Sequence, residues 1–437
     1  MTNNETIKKI VEISAPTYKN STPFINLAGT ELNGWDVVKA TLQARLNLGL
    51  LGEAGMGKSQ LLADAQSIFG NNTSYVLGRN DLDIKTLFRQ MNMTPLTEAM
   101  NKGGKVAQKD LTEITNEIYK PLTIVEEINR CAEQVQNQFF NIFEGFIELD
   151  GKKYYLGGTE LKKFKDMNGN DLFENVRYSV GMWSANFGNG QYSGTVSMDK
   201  ALKERSHIII DIDNFIPQSK DLDDILLGNS GEVRLKEQDN PEDRTKLITS
   251  GFEYLKQKSL TPNIEEMGEE LLLFRYLISG LDYIPSESAG NSKRIMKGVW
   301  PAKAEEDDIG SDNDKYIYRM TFPASTRGAM IIMSFARSLR EYVKAKNYKA
   351  KPTVLDSVIE SFKIVSAYSG MIRNTQRIRE EFADNSYQAA VKIGNVLSSK
   401  LNAKRDLIDA IIYKKKQGKP YTQKMLNECK GEYECFR

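Results

Sequence analysis

"LNLGLLGEAGMGKSQ", residues 46–60, decides the fold. An apolar run ends in Gly52-Glu53-Ala54-Gly55-Met56-Gly57-Lys58-Ser59-Gln60, and a helical pattern, SQLLADAQSIF, begins at once. The stretch satisfies G-x-x-x-x-G-K-[ST] between a buried strand and a helix. Each fixed position has a physical task. The glycines permit backbone angles that turn amide N–H groups onto phosphate oxygens. Lys58 brings a point charge to the β- and γ-phosphates, and the Ser59 hydroxyl ligates Mg²⁺. The helix starting near Lys58 aims its positive end at the anion. A chance glycine-rich turn would account for the letters but not for the strand before them and the helix after them.

Working outward, residues 23–213 alternate short apolar runs with helical patterns, the signature of a parallel sheet with crossover helices. LNLGLLG (46–52), TSYVLG (73–78), LTIVEE (122–127), YSVGMWSAN (178–186) and SHIIIDID (206–213) read as its strands. The fold class is therefore α/β. A second chemical requirement is met at the end of the third strand, in LTIVEEINR. Glu126 is placed to orient the Mg²⁺ shell and Glu127 to polarise the attacking water as general base. Alone, the pair would read as surface acids at a strand end.

The remainder divides by pattern. Residues 1–22 are polar and read as loosely held. Residues 214–320 form a connector with an insertion, in which helical patterns near 247–258 and 264–279 are separated by polar stretches. Residues 321–400 are helical, with Ile332, Phe335, Ala336, Leu339 and Val343 at helical spacing. Thr353, with Asp356 three residues on, reads as the cap of a further helix. Residues 401–437 hold nine Lys/Arg and five Asp/Glu, a basic tail of +4 (9 − 5).

Composition excludes several classes. Lys+Arg 59 against Asp+Glu 58 offers no global attraction to nucleic acid or membrane. The N-terminus lacks a secretory pattern, and no apolar run is long enough to span a bilayer. Cys131, Cys429 and Cys435 make neither a metal-ligand spacing nor a disulfide framework, and one histidine, His207, excludes a multi-histidine metal site. The expectation is a cytoplasmic enzyme.

With these motifs in order, the chain resembles the MoxR-type AAA+ ATPases. VEEINR is similar to that family's D-E-I-N-R signature, and FFNIFEGFIELDGKKYYLG (139–157) to the helix and hairpin that follow it. The stretch 182–211 resembles the segment carrying sensor 1 and the arginine finger. Its A-N, Y-x-G-T and A-L-x-x-R are closest to the CbbQ/NorQ branch. FPASTRGAM (322–330) resembles the sensor 2 motif G-A-S-P-R-A that opens a helical lid. The resemblance covers 25–213 and 321–370. It implies an AAA+ core, a helical lid, ATP with Mg²⁺, and assembly into a homo-oligomeric ring, a hexamer. Asn186 would orient the attacking water, Arg205 would reach a neighbour's γ-phosphate, and Arg327 would reach from the lid to its own subunit's phosphates. Arg130 could act at the subunit interface.

Two departures stand out. Position 126 is Glu where the family has Asp, and sensor 2 reads S-T-R rather than S-P-R. The function implied is a ring motor, chaperone-like, that remodels or activates a protein partner; the family often works beside a von Willebrand factor A domain protein. The alternatives are a nucleic-acid motor or McrB-like restriction-type NTPase, for which only the basic tail speaks, and a slowly hydrolysing nucleotide-held scaffold, which Glu126 motivates.

Overall fold

The computed structural model describes residues 3–95, 97, 101, 112–186, 200–228, 242–282, 320–372 and 376–437. Five strands form the central sheet: β1 (Leu48–Gly52), β2 (Thr73–Leu77), β3 (Leu122–Glu126), β4 (Val180–Asn186) and β5 (Ile208–Asp211). Their order is β5-β1-β4-β3-β2, and every pair is parallel. The five strands expected from sequence are these five, trimmed at their ends. Apolar runs such as Ile208-Ile209-Ile210 suit a sheet covered on both faces, where no alternation with polar residues is needed. Gly49 in β1 has a packing reason. A Cβ there would come within 2.1 Å of the buried Trp183 ring, so only glycine lets that ring lie across the strand.

Helices cover the sheet: α1 (Asn3–Val11), α2 (Gly34–Gln43), α3 (Lys58–Phe69), α4 (Glu133–Phe143), α5 (Lys200–Arg205), α6 (Thr245–Leu260), α7 (Ile264–Arg275), α8 (Thr326–Lys346), α9 (Val354–Tyr368), α10 (Ser386–Asn402) and α11 (Arg405–Lys416). The capping residue read for α9 is in place: Thr353 Oγ1 accepts from Asp356 N at 3.0 Å. The hairpin after α4 spans Phe146–Leu149 and Lys152–Tyr155. A second hairpin, Glu160–Lys165 with Asp171–Val176, precedes β4 and packs against α6. The second polar stretch of the connector, 302–314, lies outside the described residues. Among the described residues, no helix is long and apolar enough to cross a membrane.

One expectation about the ends of the chain needs correction. The first residues are not loosely held. In α1, Ile7 and Ile10 are buried beneath α6 and α8, and Ile13 and Tyr18 are buried after it. Asp64 of α3 accepts from the Thr17 and Tyr18 amides at 3.0 and 2.7 Å, which ties this segment to the helix behind the glycine-rich loop. Composition misled because the polar side chains make hydrogen bonds to distant residues, Thr17 to Asp64 and Asn20 to Phe215, while a few isoleucines do the burying, each worth about 1.5–3 kcal/mol.

The basic tail is equally engaged. Leu407, Ile408 and Ile411 of α11 are buried, and Tyr433 stacks on Tyr276 with ring centroids 5.8 Å apart. Two of its cations are paired to acids on α7, Arg405 with Glu269 at 2.5 Å and Lys416 with Glu265 at 2.8 Å.

Candidate active site

The carboxyl ends of the central strands bring Gly52, Glu126 and Asn186 to one edge, the place where open α/β sheets bind ligands. Because β4 lies between β1 and β3, Asn186 sits in register with Gly52, and Glu126 ends the next strand over. The loop leaves β1 through three glycines at positive φ: Gly52 at 147°, Gly55 at 85° and Gly57 at 84°. No side chain caps α3 at Gly57, so its first-turn N–H groups are left to serve an anion. Lys58 is buried, and its ammonium donates to the carbonyls of Gly52 and Glu53 at 2.7 and 2.6 Å. Burial lowers its pKa, while the carboxylates of Asp213, Glu127, Glu53 and Asp211 act to keep it charged. These groups fit a triphosphate: glycines at positive φ, an uncapped helix start and a lysine kept charged.

Asp213 was not singled out by sequence reasoning. It accepts from the Glu53 amide through both carboxylate oxygens, at 3.0 and 2.9 Å. A Cβ on Gly52 would come within 2.8 Å of Asp213, so glycine is required there for space as well as for φ. Two residues back, Asp211 ends β5 and accepts from Tyr368 of α9 at 2.8 Å. Burial pushes both aspartates up in pKa. The signal was an acid pair, D-I-D, at a strand end; what sequence does not contain is that this strand lies beside β1.

The acid pair splits. Glu126 accepts from the Tyr75 hydroxyl of β2 at 2.5 Å. Glu127 sits at φ 50°, a left-handed conformation that costs a non-glycine residue of order 1–3 kcal/mol. Its amide meets Ser184 Oγ at 3.2 Å, and its carboxylate pairs with Arg130 Nε at 2.6 Å. Of the two acids, Glu127 is the one whose charge acts on Lys58. The Asn129 side chain donates to the Asn186 carbonyl at 3.0 Å, joining the ends of β3 and β4. The Y-x-G-T stretch, 192–195, lies outside the described residues.

The two arginines lie elsewhere. Arg205 Nε and Arg327 Nη1 both meet Glu144 Oε1, at 3.1 and 2.9 Å. Glu144 follows α4, whose last carbonyl, that of Phe143, accepts from Asn47. Asn47 directly precedes β1, so this cluster sits at the start of the strand whose far end carries the loop. Five residues of strand separate the two edges by ~16 Å. Arg327 was expected to reach its own subunit's phosphates; the structure places it instead with Arg205, because α8 lies antiparallel along α2, with Tyr342 at Asp36 and Ser338 at Ala40.

His207 adjoins this cluster. Its Nδ1 accepts from Asn47 N at 3.0 Å, which requires that nitrogen to be unprotonated. Burial and the charges of Arg327 and Arg45 push its pKa down to about 4. Above its ordinary value of about 6.5, the folded and unfolded chains both carry it neutral. As pH falls from about 6.5 toward 4, only the unfolded chain takes up the proton, so stability is lost over that window. The carboxyls of Asp211 and Asp213, raised by burial, act in the opposite sense as pH falls, so the His207 contribution is read as a difference between variants. Thermal denaturation across this range should show a falling midpoint in the unaltered protein and a flatter profile in His207→Asn, which tolerates the left-handed backbone.

Comparisons with known proteins agree with this geometry. Residues 47–155 match the model of the AAA domain of the dynein-related subfamily. No curated protein sequence matches the chain. Its fold is similar to the crystal structure of a candidate ATPase from Cytophaga hutchinsonii ATCC 33406. The TM-score is 0.50 and the identity 11%, over 90% of this chain and 94% of that one. At that identity the likeness speaks to fold alone. The loop, the acids beside it and the AAA model matched over residues 47–155 converge on an ATPase.

Proposed function

We propose that the chain is a ring motor of MoxR type, in the CbbQ/NorQ branch, that hydrolyses ATP between subunits to remodel or activate a protein partner. The observation that carries this reading is the meeting of Arg205 and Arg327 on one oxygen of Glu144. Among the described residues, two guanidinium groups there share a single carboxylate, which leaves a cationic surplus at an edge remote from the chain's own loop. Such a surplus suits an anion brought by another copy: the γ-phosphate held by the neighbour's loop. Both arginines then act on the next subunit, and a lone subunit is incomplete. Closed rotational symmetry repeats this contact around a ring, for which six copies are the expectation.

Within one subunit, the glycine-rich loop and Lys58 hold the phosphates. Ser59 and Glu126 would hold Mg²⁺, which neutralises charge on the transferred group. Glu127 takes the proton of the attacking water, and Asn186 orients that water. A von Willebrand factor A domain protein is the partner class this reading favours. The basic tail, packed through α11 and ion-paired to α7, lends little to a nucleic-acid motor. The bond between Glu126 and Tyr75 favours the second reading, a nucleotide-held scaffold that turns over slowly.

The test is turnover per subunit against protein concentration, with sedimentation velocity on the same samples. The rate should rise with concentration and level off where a ring becomes the main species. Full activity in a monomer, independent of concentration, overturns the composite site. Rings that retain ATP for many minutes without hydrolysis select the scaffold.

A further inference from the structure

Asn47 is a fully engaged buried residue that neither the loop motif nor the arginine motif includes. It is 2% exposed. Its Nδ2 donates to the carbonyls of Phe143 at 2.7 Å and Arg205 at 2.9 Å, and its Oδ1 accepts from Gly181 N at 2.8 Å. Its own amide donates to His207 Nδ1 at 3.0 Å, and its carbonyl accepts from Ile208 N at 3.2 Å. One side chain thus closes the ends of α4 and α5 onto the start of β1 and onto β4. The residue after Phe143 is Glu144, and Arg205 itself supplies one of the two carbonyls that accept from this hub. Both members of the Arg205–Glu144 pair are therefore held through backbone groups that end on Asn47.

We propose that Asn47 is the positioning residue for the arginines that a subunit presents to its neighbour, and that it ties their placement to the subunit's own nucleotide loop. The tie is β1 itself: Asn47 stands at its start and Gly52 at its end, joined by a strand buried along its whole length. A displacement at the loop is passed along a stiff, hydrogen-bonded element to Asn47. From there it reaches the carbonyls that set Arg205 and Glu144. The inference rests on the composite site proposed above. It adds that the same subunit's loop and finger are mechanically one piece, and that an amide at position 47 is what joins them. No other uncharged side chain of this size offers two N–H donors and an acceptor from one planar group. Aspartate has the same shape but sets carboxylate oxygens against two carbonyl oxygens.

Asn47→Asp should keep ATP affinity within about twofold and lower turnover about a hundredfold, the scale of a displacement of roughly 1 Å in a catalytic group. Loss of turnover alone would also follow from general damage, so the deciding measurement is complementation between subunits. An Asn47→Asp subunit keeps its own loop and Glu127; a Glu127→Gln subunit keeps its arginines. Mixed one to one, roughly a quarter of interfaces would pair a sound finger with a sound loop, and activity should return at those. A mixture of Asn47→Asp with Arg205→Ala should not recover, because both lesions lie in the finger. Arg205→Ala mixed with Glu127→Gln is the control. If the control recovers and the Asn47→Asp mixture with Glu127→Gln does not, the lesion lies in the subunit's own site and this proposal is overturned, while the composite site stands. Recovery of Asn47→Asp by Arg205→Ala overturns it too. If neither mixture with Glu127→Gln recovers although co-assembly is demonstrated, the composite site fails, and this inference with it. Should Asn47→Asp not fold, Asn47→Ser retains a donor, and its smaller loss, about tenfold, is read in the same mixtures.

Discussion

Arg205→Ala subunits are expected to bind ATP as the unaltered chain does and to turn it over about a thousandfold more slowly. The size of the effect follows from where charge develops. Hydrolysis spreads negative charge over the γ-phosphate oxygens, and a cation placed in advance at that point stabilises the transition state more than the bound ground state. Affinity should therefore change little while turnover falls. Arg327 shares Glu144 Oε1 with Arg205, so Arg327→Ala should fall in the same direction. Subunit mixing separates its two possible sites of action. If Arg327 serves the neighbour, Arg327→Ala mixed with Glu127→Gln regains activity; if it serves its own subunit, the mixture stays inactive. Steady-state turnover on the mixtures, with nucleotide binding measured beside it, gives the answer. Arg205→Ala rings with undiminished turnover would remove the arginine pair from the reaction altogether.

Glu127→Gln should retain ATP and lower the chemical step by about 10²–10⁴-fold, the range of a lost general base. Placement favours Glu127 over Glu126. Glu127 is turned by its left-handed backbone, and its charge acts on Lys58, whereas Glu126 is bonded to Tyr75 on the strand beyond. The pairing of Glu127 with Arg130 keeps its carboxylate oriented, and glutamine preserves the shape while removing the basicity. Single-turnover hydrolysis of pre-bound ATP measures the step directly. A Glu127→Gln protein that hydrolyses at a near-normal rate, beside a Glu126→Gln protein that does not, would exchange the two assignments.

The glycine-rich loop and its strands were legible because their information is local. Spacing, glycine content and an apolar run lie within a few residues of one another, and a parallel strand buried on both faces writes itself as a continuous apolar stretch. Asp213 and Asn47 were not legible. Their importance depends on β5 and β4 flanking β1, an order in space that the order along the chain does not contain. Arg327 was legible as a motif but its neighbours were not, because the direction in which α8 runs along α2 is set by side-chain contacts some 300 residues apart in sequence, such as Tyr342 with Asp36. The packing of the two chain ends was not legible for another reason. Net charge and polarity average over a segment, whereas packing is decided by a few residues, Ile7 and Ile10 at one end and Tyr433 and Phe436 at the other.

The carboxylate of Asp213 on the Glu53 amide has a thermodynamic consequence. An arriving nucleotide does not have to organise a slack loop, because the chain already supplies an anion that holds one of its N–H groups. Less of the interaction free energy is then consumed in ordering the backbone, and more appears as affinity. The arrangement also gives the helical layer a sense of the loop's shape. Asp213 lies two residues beyond Asp211, and Asp211 is the acceptor for Tyr368 at the end of α9. The turn that holds the Glu53 amide is thus bonded on its other side to α9, so the loop's resting shape and the seating of that helix are fixed by neighbouring carboxylates.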